Sequence, residues 1–165
     1  MSRAERDAEF TAFVHACQDR LRRVAYLVCG DVHRAEDAVQ NALARVHAGW
    51  SRIERDDPYG YAQRAVVRAA IDERRRPWRR ERPTEVLPET ASAVPDALTA
   101  RVAEALAALP ARRRAVVVLR HVEDCDVETT AALLGISTGT VKSQTSKGLA
   151  TLRELLANDT QRSPR

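Results

Sequence analysis

Glycine is scarce in this chain, 6 of 165 residues, and aromatic side chains make up only 4%. Sandwiches and barrels built on many tight turns need more of both, so those folds are excluded. No apolar run approaches the roughly 20 residues that cross a bilayer, which excludes a membrane-spanning role. Cysteine is limited to Cys17, Cys29 and Cys125, with no C-x-x-C pair. An odd, unpaired set argues against a disulfide framework. His15, Cys17, Cys29 and His33 could together supply four metal ligands, but two helix cysteines acting as small buried hydrophobes is the simpler reading, so neither metal nor cofactor is expected. The sequence contains no G-x-G, P-loop or nucleophile elbow, so an enzyme is not expected. Met1–Arg6 leads into an amphipathic pattern rather than an apolar signal core, and the chain is expected to be cytoplasmic.

Lysine is nearly absent as well: of 27 basic residues, only Lys142 and Lys147 are not arginine. The charge is unevenly placed. The net charge is +4, yet residues 74–82 (RRRPWRRER) alone carry +5, leaving −1 for the rest. The stretch 83–98 holds Glu85, Glu89 and Asp96 with no base, so −3. A concentrated basic cluster suits a polyanion, most often nucleic acid; a solvated run at a helix end is the competing reading.

Alanine, arginine and leucine dominate, and the apolar residues recur with helical spacing. Over 6–29 the stripe is Phe10, Phe13, Val14, Cys17, Leu21, Val24, Ala25 and Val28, with Gly30 ending the helix. Asp31 caps a second helix over 32–48 that turns Ala35, Val39, Ala42, Leu43 and Val46 inward, and Gly49 stops it. A polar loop, 51–57, leads to a third helix with Asp57 as cap and Pro58 in first position. Its inward stripe is Tyr61 or Ala62, then Ala65, Val66, Ala69 and Ala70, and it ends before Pro77. Residues 78–96 carry Pro83, Pro88 and Pro95 and no apolar period, which predicts a flexible linker. A second module restarts at Asp96, with Leu98, Val102, Ala105, Leu106 and Leu109 on one face. Pro110 begins a helix through Val116, Val117, Leu119 and Val122. The fold expected is all-α: two small helical domains, 1–77 and 97–157, joined by a flexible linker (78–96), with a short tail (158–165).

The last part of the second module carries the chemistry. A helix over 127–134, a turn Gly135-Ile136-Ser137 and a helix from 138 to about 156 make a helix-turn-helix. Gly135 supplies the left-handed turn, Ile136 plugs the angle and Ser137 caps the second helix, whose inner stripe is Val141, Thr145, Leu149, Leu152 and Leu156. Facing away are Lys142, Ser143, Ser146 and Lys147, short or basic side chains that can approach base edges in the major groove. Thr140, at the helix N-terminus, suits a phosphate.

The stretch LRHVEDCDVETTAALLGISTGTVKSQTSKGLATLREL closely resembles region 4 of extracytoplasmic-function (ECF) sigma factors, the short group of the sigma-70 family, in its SigE-like actinobacterial branch. GDVHRAEDAVQNALARVHAGW looks like region 2.2, and DPYGYAQRAVVRAAIDERRR looks like regions 2.3 and 2.4, so the resemblance runs over roughly 9–157 in the family's order. It implies an alternative sigma factor that directs RNA polymerase core to promoter DNA. By that resemblance Asp37, Gln40, Asn41 and Arg45 would bind the clamp helices of the large polymerase subunit, with the flap as a second polymerase contact. Tyr59, Tyr61, Arg64 and Arg68 would recognise and melt the minus-10 element, where stacking surfaces and cations are needed along a single strand. The family often carries a small polar residue, commonly Asn, where this chain has Arg68. The loop 51–57 would wall a flipped-base pocket. Arg74, Arg75, Arg76, Arg79 and Arg80 would follow duplex phosphates, while Trp78 is open to either stacking or packing. Thr140, Lys142, Ser143, Ser146 and Lys147 would read the minus-35 element. Arg112, Arg113 and Arg114 could touch DNA backbone or polymerase, or simply be solvated. Family members are commonly held by an anti-sigma factor between the two modules, so such a partner is part of the expectation.

Two other readings compete. A stand-alone helix-turn-helix regulator would use 1–77 as a sensor or dimer domain and bind palindromic half-sites. A metal-dependent nuclease or recombinase would use Asp56, Asp57, Glu123, Asp124 and Asp126, although helix capping and dipole effects already account for carboxylates at helix starts.

Overall fold

Local chemistry sets the helix boundaries. The computed structural model describes residues 2–53, 56–74 and 95–162. Within them the chain forms eight helices and no strand. Helix α1 (Arg3–Cys29) begins a few residues before its apolar stripe because Ser2 and Glu5 form a reciprocal capping box, and it ends at Gly30 with φ 76°. Asp31 accepts the Arg34 amide at 2.9 Å and starts α2 (Val32–Ala48). A short α3 (Trp50–Ile53) occupies part of the stretch expected to be loop. Trp50 holds it in place, with its ring 5.3 Å from Phe10 and 5.0 Å from Phe13 between centroids. Asp57 accepts the Gly60 amide at 2.9 Å at the head of α4 (Pro58–Arg74).

The second group begins with α5 (Ala97–Ala107), capped by Asp96, and α6 (Ala111–His121), preceded by Pro110. Helix α7 (Val127–Leu134), capped by Asp126, and α8 (Thr138–Arg162) complete it. Helix α8 runs past the expected end near 156, and Leu156 is exposed rather than part of an inner stripe.

The two groups of helices are not merely tethered. One buried apolar cluster runs from Leu21, Val24, Val28, Val39 and Val66 through Ala103, Leu106, Leu109 and Val118. Helix α1 lies between α2 and α4 on one side and α5 and α6 on the other. That placement buries Leu27 beside Val28, giving the C-terminal half of α1 a wider apolar face than one stripe supplies. It also corrects the reading of α5. The helix presents Ala103 and Leu106 to the core and leaves Leu98 and Val102, both expected inside, 71% and 39% exposed. The small Ala103 allows close approach, and burying Leu106 is worth about 1.5–3 kcal/mol.

Arg114, on α6, sits at this junction with 1% exposure. Its guanidinium donates to the carbonyls of Leu106 (2.7 Å), Ala107 (3.1 Å), Leu109 (2.8 Å) and, across the junction, Val28 (2.8 Å). Among Arg112, Arg113 and Arg114, only Arg112 is exposed. Arg113 donates to Gln144 on α8 at 2.8 Å, and the burial and carbonyl bonds of Arg114 make it a structural residue rather than a DNA or polymerase contact.

Candidate nucleic-acid interface

The helix-turn-helix is built as its turn chemistry demands. Gly135 takes φ 65°, a conformation favourable to glycine. Ile136 packs against a small core of Val116, Ala131 and Val141. Ser137 Oγ accepts the Thr140 amide at 3.1 Å and lies 2.8 Å from the Thr140 hydroxyl, so Thr140 takes part in the cap at the start of α8. Behind the reading face, Gly148 is buried against α6: a Cβ there would stand 2.6 Å from Val117 Cγ2.

Lys142, Ser143, Ser146 and Lys147 are all exposed on α8. Lys142 and Ser146 line a groove of about 360 Å³ between α6, α7 and α8, which Arg120 and Arg153 also line. Arg153 follows Lys142 and Ser146 at i+11 and i+7 on α8, a helical spacing that the sequence carries, whereas Arg120, on α6, is brought beside them only by the fold. Clustered cations beside a helix face of short side chains suit a phosphate backbone flanking a groove.

On α2, Asp37, Gln40, Asn41 and Arg45 form one exposed stripe, while Ala38, Val39, Ala42, Leu43 and Val46 are buried. The Gln40 amide donates to Glu36 at 3.0 Å, and Glu36 also accepts two bonds from Arg22 on α1, at 2.9 and 3.3 Å. Partial burial works against the Glu36 carboxylate, but the bonds from Arg22 and Gln40 outweigh it and hold its pKa below the ordinary value.

The α4 residues divide. Tyr61 (46% exposed), Arg64 and Arg68 share an open face, and Ala62, rather than Tyr61, fills the core position. Arg74 is the last residue of α4; Arg75, Arg76, Trp78, Arg79 and Arg80 lie outside the described residues, as does most of the 78–96 linker. Tyr59 is elsewhere, in the junction between the two groups of helices. Its hydroxyl donates to Glu123 Oε2 at 2.7 Å, and the Arg20 guanidinium lies 4.5 Å from its ring centre. Gln63 Nε2 donates to the same carboxylate oxygen at 2.7 Å, and Arg20 Nε lies 3.0 Å from it. Glu123 itself is 6% exposed. Burial first, then the adjoining carboxylate, push the Tyr59 phenol far above its ordinary pKa despite Arg20.

Three of the five carboxylates that a metal-dependent nuclease would use have other work here. Glu123 neutralises Arg20 and receives Tyr59 and Gln63, while Asp57 and Asp126 cap α4 and α7. Among the described residues no three His, Cys, Asp or Glu side chains gather in a metal-holding group. Burial raises the thiol pKa of Cys17, Cys29 and Cys125, which keeps them protonated. Among the described residues, no helix is long and apolar enough to cross a membrane.

Two family models match in order along the chain: sigma-70 region 2 over residues 13–80 and sigma-70 region 4 over residues 99–152. The chain is 41% identical over 161 residues to the RNA polymerase sigma-E factor of Streptomyces coelicolor, covering 92% of this chain and 88% of that protein. It is 33% identical to the ECF RNA polymerase sigma factor SigE of Mycolicibacterium smegmatis, covering 84% of this chain and 58% of that one. The fold resembles the sigma factor RpoE of Bartonella quintana, solved with the anti-sigma factor NepR (TM-score 0.67, 22% identity, 90% of this chain and 97% of that chain). It also resembles CnrH, solved with the cytosolic domain of CnrY (TM-score 0.66, 23% identity, 93% and 90%).

Sigma-70 region 2 followed by region 4 marks a transcription initiation factor. The chain belongs to the sigma-70 family, in its extracytoplasmic-function group. Region 2 and region 4 occurring together displace the reading as a stand-alone regulator.

Proposed function

We propose that the chain works as the promoter-specificity subunit of RNA polymerase by dividing the task among three surfaces. The α2 stripe of Asp37, Gln40, Asn41 and Arg45 docks on polymerase core. The α4 face of Tyr61, Arg64 and Arg68 engages the minus-10 element, with Tyr59 joining it when its contact with Glu123 opens, and the arginines 74–76 follow adjoining phosphates. The α8 face of Thr140, Lys142, Ser143, Ser146 and Lys147 reads the minus-35 element, with Arg120 and Arg153 added as phosphate contacts. Residues 1–77 and 97–157 act as the two functional modules, 78–96 as the linker between them and 158–165 as the tail.

The observation that carries this reading is the α8 face: exposed serines and lysines backed by the glycine contact and the small core that fix the helix in place. The protein so read supplies recognition while polymerase supplies the chemistry, and it works in the cytoplasm with polymerase. A partner of the anti-sigma kind belongs to this reading; the sigma factor RpoE, of similar fold, has been solved with an anti-sigma factor.

The test is reconstitution. Purified chain is mixed with polymerase core, and transcription starts are mapped on genomic DNA. Starts that share two upstream elements and vanish without the chain are expected; starts indistinguishable from those of core alone would refute the reading.

A further inference from the structure

The contact around Glu123 has no necessary part in either DNA-reading surface, yet it is the most heavily bonded polar contact between the two groups of helices. Three donors converge on one carboxylate: the Tyr59 hydroxyl, the Gln63 carboxamide and the Arg20 guanidinium. All three come from the first group of helices and the acceptor from the second. The connection that carries Glu123 is itself held. Asp124 takes φ 51°, a left-handed conformation that Asp tolerates better than most residues. The Glu123 amide donates to Val118 O at 3.1 Å, the Cys125 amide to Leu119 O at 2.9 Å, and Arg120 to Cys125 O. The carboxylate is therefore presented by a fixed loop rather than by a side chain reaching across solvent.

An aromatic ring beside an amide donor is what recognition of an unstacked base uses, the ring for stacking and the amide for an edge. Here Arg20 lies over the Tyr59 ring, and Glu123 takes up both the phenol and the Gln63 amide. We propose that Glu123 is an intramolecular latch: it closes the second group of helices onto the first turns of α4 and occupies the Tyr59 and Gln63 groups that a single strand would use, so that the free chain is autoinhibited. This rests on the assignment of α4 to the minus-10 element. The α2 stripe and the Tyr61–Arg64–Arg68 face stay open in the closed state, so polymerase core can dock before the latch releases. Closure lowers the apparent affinity for single-stranded DNA by the fraction of molecules that are open.

The full-length chain tests this without polymerase. The probe is a fluorescein-labelled, mixed-sequence single-stranded DNA of about 15 nucleotides, followed by anisotropy. Glu123→Ala is expected to bind about fivefold tighter than the parent chain, because opening restores the competent fraction. Arg20→Gln loosens the same contact from its solvent-exposed side and is expected to give a smaller gain. It also serves if Glu123→Ala loses its helical circular dichroism. Adding Tyr59→Ala to Glu123→Ala should remove the gain. Glu128→Ala removes an equal charge from exposed α7 and should leave binding unchanged. An unchanged affinity in both latch variants, or an equal gain in Glu128→Ala, overturns the latch. Failure of the start-mapping experiment overturns the promoter reading instead, so the two outcomes are separable.

Discussion

The Arg114 guanidinium donates to the carbonyl of Val28 at 2.8 Å, joining residues 86 positions apart at the C-terminal end of α1. The same side chain gathers three carbonyls from the end of α5 and the α5–α6 connection. A buried carbonyl left without a donor costs about 1–3 kcal/mol. Arg114→Met is therefore expected to destabilise the chain by about 3 kcal/mol or more. Arg114→Lys should recover little, because an ammonium group cannot fork to carbonyls so placed. Urea unfolding of the full chain measures both, and a loss below about 1 kcal/mol for Arg114→Met would remove Arg114 from this structural role.

Gly148 and Gly139 lie on one helix and should respond oppositely to alanine. Relief from glycine's helix penalty is worth up to about 1 kcal/mol at either position. At Gly139 the nearest atom to an added Cβ is Ser137 Oγ at 3.9 Å, so Gly139→Ala should raise stability slightly. At Gly148 the Val117 methyl at 2.6 Å forces overpacking that costs about 1–3 kcal/mol, so Gly148→Ala should be a net loss. Thermal melts of the two variants would expose an error in the α6–α8 packing if both shifted upward.

Lys147→Ala combined with Ser143→Ala should reduce transcription from cognate promoters by about tenfold, since a good base contact is worth about 1–3 kcal/mol. Association with polymerase core should be unaltered. Run-off assays check this, and unchanged promoter choice would count against α8 as the reader.

Charge reversal at Asp37 and Arg45 places repulsive groups on the exposed α2 stripe, where like charges across an interface cost several kcal/mol. Core affinity should fall about tenfold or more. Normal co-purification of the doubly reversed chain with polymerase would move the docking surface away from α2.

Tyr59 gives the molecule an alkaline limit. It faces Arg20 and Cys17 from α1 and Glu123 from the α6–α7 connection, with Gln63 bound to the same carboxylate. Its folded pKa is raised, so the folded state keeps a proton that the unfolded chain releases near the ordinary tyrosine value of about 10. This contribution to stability is complete below about pH 10 and is lost as pH rises beyond it. The urea midpoint should drop progressively as pH rises above about 10, and Tyr59→Phe should flatten the drop. Identical pH profiles for the two proteins would contradict the linkage.

Helix ends were legible because their determinants are local. Asp31, Asp57, Asp96 and Asp126 each bind an amide three residues on, and Gly30 and Gly135 take left-handed turns. The exposed faces of α2 and α8 were legible because each is the complement of a periodic buried stripe. What escaped was decided by distant parts of the chain. Which side of α5 faces inward depends on α1, so Leu98 and Val102 look like core residues until α1 is in place. Tyr59 looks like an open stacking surface because its cover, Glu123, is 64 residues away. Arg114 reads as one of three solvated arginines because its acceptors are backbone carbonyls, which leave no mark in composition. Residues 51–53 read as loop because the short α3 is held by Trp50, which answers to Phe10 and Phe13, far upstream.

The contact between Gln63 and Glu123 spans 60 residues, which gives it a place in time as well as in space. A ribosome adding about 5–20 residues per second finishes synthesising α2 and α4 roughly 2–10 s before it reaches Glu123. During that interval the exposed α2 stripe of the nascent chain is complete while the carboxylate that later covers Tyr59 has yet to be made. The order of synthesis therefore favours folding of the first group of helices in its uncovered form, with closure as a late step.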